Sequence, residues 1–248
     1  MLRTLGVVQA CFASPRLRYN SARKIGGKSV LEWVVRRVTD CQRLDGVIVV
    51  TSDAVENQFV SRLVPLDVPV YVSSGPDPLA RFVATLDEYP AESIVRVCAD
   101  YPFTDPTLID RLITTAETHN NCDYVSYWSR EGRPAILSPV GMYAEWIRSA
   151  ALRKAHRKAT SPRDRSAVTQ YLYSHPELFN LRLIPAPPRI DRDDVRLKVD
   201  FEEDWEHALT IYEALGPELD WQRIADLLDQ QPALRQRMAS LNRVHAAN

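Results

Sequence analysis

Short apolar runs alternate with amphipathic segments along the first half of the chain. Residues 5–9, 47–50, 68–72 and 94–97 form mainly apolar runs of strand length. The segments between them repeat apolar residues three and four positions apart, which is typical of amphipathic helices. Strands that are apolar at consecutive positions are buried on both faces, as in a parallel sheet covered by helices. The pattern therefore predicts an α/β fold with a mostly parallel, doubly wound sheet.

The second half of the chain is less regular. We predict a strand over 123–127, a basic amphipathic helix over 143–158 and a late strand over 195–199. A helix with an acidic first turn follows over 202–215, and the tail over 220–238 also has a helical pattern. A chain of 248 residues can bury one large core, so we predict a single domain over 1–248 with a small lid-like insertion.

Charge and composition narrow the range of partners. The chain has 31 Lys and Arg against 32 Asp and Glu, a formal net charge of −1, so no overall field favours nucleic acid or an anionic membrane. No apolar run approaches the roughly 20 residues of a membrane span. The four cysteines form no CxxC pair, and we interpret them as reduced thiols in a cytoplasmic protein.

A long polar loop follows the first apolar run and extends to Gly27. The loop and the residue after it carry five cations within thirteen residues, namely Arg16, Arg18, Arg23, Lys24 and Lys28. Ligands of open α/β sheets bind at the carboxyl ends of the strands, and a triphosphate requires several charge-assisted hydrogen bonds. The loop is a candidate triphosphate cradle, with a solvated basic loop as the alternative.

Two aspartates follow predicted strands. Asp100 comes after the fourth apolar run, and Asp200 comes after the late strand. If both lie at one edge of the sheet they could hold Mg²⁺, which takes one or two carboxylates together with phosphate oxygens and water. An aspartate after a strand is also a common helix cap, and spacing alone does not decide whether the two converge.

Other nucleotide and metal motifs are missing or misplaced. No GxGxxG follows the first apolar run, and no GxxxxGK[ST] occurs. The DxD at 191–193 precedes the late strand, and we interpret it as a solvated turn. None of the histidines pairs with a plausible nucleophile, so a catalytic triad is not indicated.

Several blocks of the sequence resemble one family of enzymes. The blocks lie at 6–17, 27–34, 51–53, 77–82, 96–106, 168–177 and 196–204. In order and spacing they are similar to the spore-coat polysaccharide cytidylyltransferases, relatives of the CMP-KDO and CMP-acylneuraminate synthetases. The resemblance implies a Rossmann-like nucleotidyltransferase sheet. It also implies transfer of CMP from CTP to a sugar or sugar-like acceptor, with release of pyrophosphate, in surface polysaccharide or glycoconjugate biosynthesis.

The resemblance also assigns roles to residues. It implies that Asp100 and Asp200 hold Mg²⁺, and that Arg16 and Lys28 are catalytic. The implied nucleotide-binding residues are Gln9, Ala10, Ser14, Arg16, Asp77 and Arg81. Residues 123–190 would form the acceptor and dimerisation insertion. If the protein is a homodimer, the candidate contacts are Tyr143, Trp146 and Ile147.

The chain departs from the family pattern at charged positions. Cys11 and Asn20 stand where the family usually has arginine and lysine, and residues 137–139 replace a short acidic strand. Loss of one preorganised donor commonly lowers the rate by about 10²–10³, unless Arg18, Arg23 or Lys24 takes its place. Two other functions therefore stay open: a nucleotide-binding or scaffolding relative without turnover, and a glycosyltransferase that uses a nucleotide sugar.

Overall fold

The computed structural model of the protein describes residues 1–12 and 14–246. The strands are β1 (Leu2–Gln9), β2 (Lys24–Ile25), β3 (Lys28–Ser29), β4 (Gly46–Ser52), β5 (Val70–Ser73), β6 (Ala91–Cys98), β7 (Tyr124–Trp128), β8 (Glu145–Arg148) and β9 (Leu181–Pro185). The helices are α1 (Pro15–Ala22), α2 (Val30–Thr39), α3 (Val60–Leu63), α4 (Pro78–Glu88), α5 (Pro106–Thr118), α6 (Ser149–Lys158), α7 (Pro162–Arg165), α8 (Gln170–Ser174), α9 (Glu202–Leu215), α10 (Trp221–Gln230) and α11 (Pro232–Ala246).

The strands form one large sheet and one small hairpin in the described part of the chain. The sheet has seven strands in the order β5-β4-β1-β6-β8-β7-β9. Strands β5, β4, β1 and β6 are parallel, β8 is antiparallel to both of its neighbours, and β9 is parallel to β7. The separate hairpin joins β2 to β3. The predicted α/β fold with a mostly parallel sheet is confirmed.

Both faces of the sheet are covered. On one face, Val8 of β1 and Val95 of β6 pack in a core with α2 and α5. On the other face, Val7 and Ile94 of the same strands pack with α4 and α6. Neighbouring residues of one strand thus belong to different cores, which explains why these strands read as continuous apolar runs.

The prediction of one helix over 143–158 is wrong. Residues 145–148 form β8 between β6 and β7, and α6 begins at Ser149. Tyr143, Trp146 and Ile147 are therefore buried in the core, at 0%, 6% and 0% exposure, and are not available as dimer contacts. Residues 123–190 supply β7, β8 and β9 to the central sheet. Their role in acceptor binding and dimerisation stays a prediction.

Three other segments differ from expectation. The polar loop after β1 contains α1 and the β2–β3 hairpin, and Gln231 and Pro232 separate the helical tail into α10 and α11. Residues 195–199 form no strand of the sheet, although most of them are buried. In the described residues, the helices are either too short or too polar to cross a membrane.

The β2–β3 turn gives the first testable prediction, because its two glycines differ in their surroundings. Both have positive φ, +55° at Gly26 and +86° at Gly27, which disfavours any side chain. A Cβ on Gly26 would lie 2.1 Å from the Tyr212 ring, whereas one on Gly27 would meet nothing within 4 Å. We expect Gly26→Ala to lower the free energy of unfolding by about 2–4 kcal/mol and Gly27→Ala by about 1 kcal/mol. Urea denaturation measures both, and equal losses would contradict the packing of α9 on this turn.

Candidate active site

The side chains of Asp100 and Asp200 meet at the carboxyl edge of the sheet. Their carboxyl groups are in hydrogen-bonding contact, and both residues are partly exposed. Asp100 lies just beyond the end of β6. Residues 195–200 cross the same edge, where the amide of Val199 donates to the carbonyl of Asp100 at 2.8 Å. Asp200 therefore reaches the site on a crossing loop and not on a strand.

The backbone of Asp200 is fixed by the start of α9. The Asp204 carboxylate accepts hydrogen bonds from the amides of Asp200 and Phe201, both at 3.0 Å. Arg196 binds both oxygens of Asp204, at 2.5 and 2.9 Å. From α1, the side-chain amide of Asn20 donates to the Asp200 carbonyl at 2.9 Å. These bonds leave little freedom in the direction of the Asp200 side chain.

Two cations stabilise the charge of Asp200. The Lys198 ammonium bonds to its Oδ2, and an Arg196 nitrogen lies 3.6 Å from the same oxygen. Burial and the neighbouring Asp200 carboxylate raise the pKa of Asp100 to about 7. Burial also opposes ionisation of Asp200, but Lys198, Arg196 and the hydrogen bond with Asp100 together hold the pKa of Asp200 below its usual value. Below about pH 7 the pair therefore carries one proton, and that proton resides on Asp100.

The aspartate pair fits a hard divalent cation. Carboxylate oxygens are the ligands that Mg²⁺ prefers, and the ammonium of Lys198 already occupies a cation position on Asp200. No group of three or more His, Cys, Asp and Glu residues suited to a metal occurs in the described parts of the chain. Further ligands would have to come from substrate oxygens and water, which is the usual situation for Mg²⁺ in sites that handle phosphate.

A cavity of about 760 Å³ opens beside the pair. Its walls come from residues 129–140, 191–201 and 239–245, and Lys198 and Asp200 line it. The segment 137–139, where the resemblance predicts a short acidic strand, also faces this cavity. The position where the chain departs from the family pattern is thus a wall of the space next to Asp200.

Three of the predicted phosphate-loop residues lie on the strand and helix that approach the pair. Gln9 ends β1, and its side chain accepts a hydrogen bond from Arg96 at 2.8 Å. Ser14 caps α1 by accepting from the amide of Leu17 at 3.2 Å. The Arg16 guanidinium lies 3.9 Å from the centroid of the Phe201 ring. Phe201 directly follows Asp200 in the chain. The structure therefore brings Arg16 to the neighbourhood of the aspartates.

Other predicted site residues have partners within the fold. Ala10 is fully buried, and its amide donates to the carbonyl of Val50 at 2.8 Å. The ammonium of Lys28 lies 5.2 Å from the centroid of the Trp33 ring. Asp77 caps α4 and pairs with Arg165 at 2.7 Å. These contacts give the three residues structural roles, and their part in catalysis or nucleotide binding stays a prediction.

Arg81 reaches the position where the family usually has an arginine in the loop. Its guanidinium contacts the thiol of Cys11 and donates to the carbonyl of Gly75 at 3.0 Å. Burial raises the pKa of the Cys11 thiol despite this neighbouring charge, so the thiol stays neutral. A guanidinium is therefore present beside residue 11, supplied by α4.

The loop cations suggested as substitutes are largely engaged elsewhere. Arg23 forms an ion pair with Glu202, and its guanidinium lies 3.5 Å from the centroid of the Trp205 ring. Arg18 donates to the carbonyl of Phe12 at 3.3 Å. These contacts tie the loop to α9 and to the end of β1.

Sequence reasoning missed a buried polar network next to Gln9. Arg96 binds Glu145 at 2.6 Å, and the Thr169 hydroxyl lies 3.0 and 3.1 Å from the two Glu145 oxygens. The hydroxyl of Tyr124 also donates to Glu145. An arginine within an otherwise apolar strand requires a buried partner of opposite charge. The position of Arg96 in such a strand could therefore have predicted this network.

Sequence reasoning also missed Lys198. In an extended segment, alternate residues point to the same side, so the spacing of Arg196, Lys198 and Asp200 carried the information that these charges meet.

A sequence model of the family described as Cytidylyltransferase matches residues 5–240. The uncharacterized protein MJ1063 of Methanocaldococcus jannaschii is 30% identical over 236 residues, which cover 94% of this chain and 93% of that protein. The spore coat polysaccharide biosynthesis protein SpsF of Bacillus subtilis is 26% identical over 236 residues, 92% of this chain and 95% of SpsF.

A solved structure of a cytidylyltransferase from Leptospira borgpetersenii has the same fold. It matches with a TM-score of 0.81 at 19% identity and covers 95% of this chain and 98% of that one. The resemblance deduced from the sequence blocks is thus confirmed over almost the whole length. The chain belongs to the cytidylyltransferase family.

Proposed function

We propose that the protein is a cytoplasmic, Mg²⁺-dependent enzyme that transfers CMP from CTP to a hydroxyl group of a sugar-like acceptor. The observation that carries the proposal is the contact between Asp100 and Asp200 beside a cavity of about 760 Å³. Two carboxyl groups in contact are unfavourable for folding, because like charges disfavour ionisation of both. Ligand binding is a reason for such a site to persist at a cost in stability.

The proposed reaction is a displacement at the α-phosphorus of CTP. A bond forms between the acceptor oxygen and this phosphorus, the bond to the β-phosphate breaks, and pyrophosphate and the hydroxyl proton are released. Asp100 and Asp200 would hold Mg²⁺, which supplies charge neutralisation of the phosphates when bound. Arg16 and the guanidinium of Arg81 would contribute further positive charge near the end of β1.

The cavity beside Asp200 is the proposed acceptor site. Its lining includes Ser129 and Ser138, whose hydroxyl groups can hydrogen-bond to those of a sugar. The similarity to a spore coat polysaccharide biosynthesis protein supports a sugar acceptor and a role in surface polysaccharide or glycoconjugate biosynthesis. Because residues 137–139 are not acidic here, we expect an acceptor different from those of the family's acidic-strand members.

Pyrophosphate release from CTP tests the proposed function. The purified protein is incubated with CTP, Mg²⁺ and a panel of neutral and acidic sugars, with Asp200→Asn as the matched control. We expect acceptor-dependent release that falls at least about 100-fold in the control. Binding of CTP without release for any sugar would favour a non-catalytic relative. Failure to bind CTP, or sugar transfer from a nucleotide sugar, would contradict the proposal.

Asp100→Asn should lose activity and become more stable relative to wild type as the pH rises. The pKa of Asp100 is about 7 in the folded protein and near 4 when unfolded, so its ionisation lowers stability as pH rises between these values. We expect the variant to lose pyrophosphate release. Without metal, its free energy of unfolding relative to wild type should be about 2–3 kcal/mol more favourable at pH 8 than at pH 5. Urea denaturation at both pH values measures this, and an equal effect of the substitution at both would contradict the raised pKa.

A further inference from the structure

The backbone of Lys198 packs closely against residues 140 and 141, and its ammonium contacts Asp200. Gly141 has a φ of +62°, and a Cβ there would lie 2.5 Å from the Lys198 nitrogen and Cβ, so the chain at 141 touches Lys198 closely. The amide of the preceding Leu197 donates to the carbonyl of Val140 at 3.1 Å. These contacts hold residues 197 and 198 in place beside the cavity. The Lys198 side chain lines the cavity, and its ammonium contacts Asp200.

The two cations on Asp200 differ in how firmly they are held. The Arg196 side chain is 2% exposed, and Asp204 binds two of its guanidinium nitrogens. The Lys198 side chain is 24% exposed, lines the cavity, and has Asp200 as its ion-pair partner. Lysine also carries its charge on a flexible four-carbon stem. Of the two, Lys198 is the cation that can leave.

A divalent cation bound to the aspartate pair would repel the Lys198 ammonium from its position on Asp200. Two further positive charges a few ångströms from an ammonium are strongly unfavourable at the dielectric of a partly buried site. The ammonium would then need another anion within reach of the cavity. Under the proposed function, a phosphate oxygen of the bound nucleotide would supply this anion, because an ammonium forms strong charge-assisted hydrogen bonds to phosphate.

We propose that Lys198 is a mobile counter-ion that neutralises Asp200 in the ligand-free protein and moves to a nucleotide phosphate when a divalent cation binds. The inference rests on the proposed function, and it adds a residue that binds the nucleotide. It also accounts for the missing lysine of the phosphate loop. Asn20, at that position, binds the carbonyl of Asp200, so residues 20 and 198 both converge on Asp200.

The proposal makes metal and nucleotide binding cooperative. Without nucleotide, the metal competes with the ammonium of Lys198 for Asp200, and its binding is weakened. With nucleotide present, the displaced ammonium gains a new partner, and the competition is removed. A residue with only a structural role would not produce this coupling.

Substitution of Lys198 by methionine tests the proposal, because it should change the two affinities in opposite directions. Calorimetry measures the affinity for Mn²⁺ alone and for CTP at saturating Mn²⁺. We expect Lys198→Met to bind Mn²⁺ alone about tenfold more tightly and CTP about tenfold more weakly than wild type. Lys198→Arg should retain the affinity for CTP. Lys158→Met, at an exposed position on α6, is the matched control and should change neither affinity.

A second variant moves the charge back to the loop. Adding Asn20→Lys to Lys198→Met should restore the affinity for CTP. The variant again has an ammonium near Asp200, from where it can reach a phosphate of the nucleotide. Weaker binding of both ligands by Lys198→Met, or no change in either, would overturn the mobile counter-ion. Circular dichroism verifies folding, and Lys198→Gln serves as a second uncharged side chain. Wild-type protein that binds neither Mn²⁺ nor CTP would overturn the proposed function as well.

Discussion

Two carboxyl groups in contact at the edge of a sheet impose a charge problem that the surrounding structure must solve. In a partly buried site, the free energy of two adjacent negative charges is too unfavourable for both to ionise freely. The raised pKa of Asp100 favours its protonated form, and the cations Arg196 and Lys198 offset the charge of Asp200. The charges of the site are therefore balanced before any ligand arrives.

The fold explains how the two aspartates come together. β1 and β6 are adjacent and parallel, so Gln9 and Asp100 leave the sheet at the same edge. Residues 195–200 then cross this edge and are held there by Val199 and by the cap of α9. The buried pair Arg196–Asp204 anchors the crossing, since Asp204 also binds the amide of Asp200. Because loss of one partner would leave a buried charge unpaired, this anchor is costly to break.

The first half of the fold was predictable because its strands are buried on both faces and its helices are amphipathic. These properties appear directly as apolar runs and as helical spacing. The second half was less predictable. Residues 145–148 contain a glutamate and an arginine and are too short to show a strand pattern beside the longer helical one. Residues 195–199 have the alternation of a strand but bond to a loop at 139–140 and to Asp100, not to a neighbouring strand.

For the site, sequence identified the aspartates but not the cations that balance them. Asp100 was recognisable because it ends an apolar run, and the position of such a residue follows from the fold class. The place of a lysine side chain depends on contacts far away in sequence, such as Gly141 against Lys198. The same holds for Arg81, which reaches Cys11 from α4. At Cys11, where the resemblance predicts an arginine, the nearby positive charge is therefore supplied by Arg81 of α4.

Crystals grown with CTP and Mn²⁺ test most directly whether Asp100 and Asp200 form the metal site of a cytidine nucleotide complex, because anomalous scattering locates manganese independently of the protein. We expect one anomalous peak bonded to carboxylate oxygens of both aspartates and to phosphate oxygens of the nucleotide, at roughly 2.1–2.2 Å. Manganese at another position, or CTP bound away from this edge of the sheet, would contradict it.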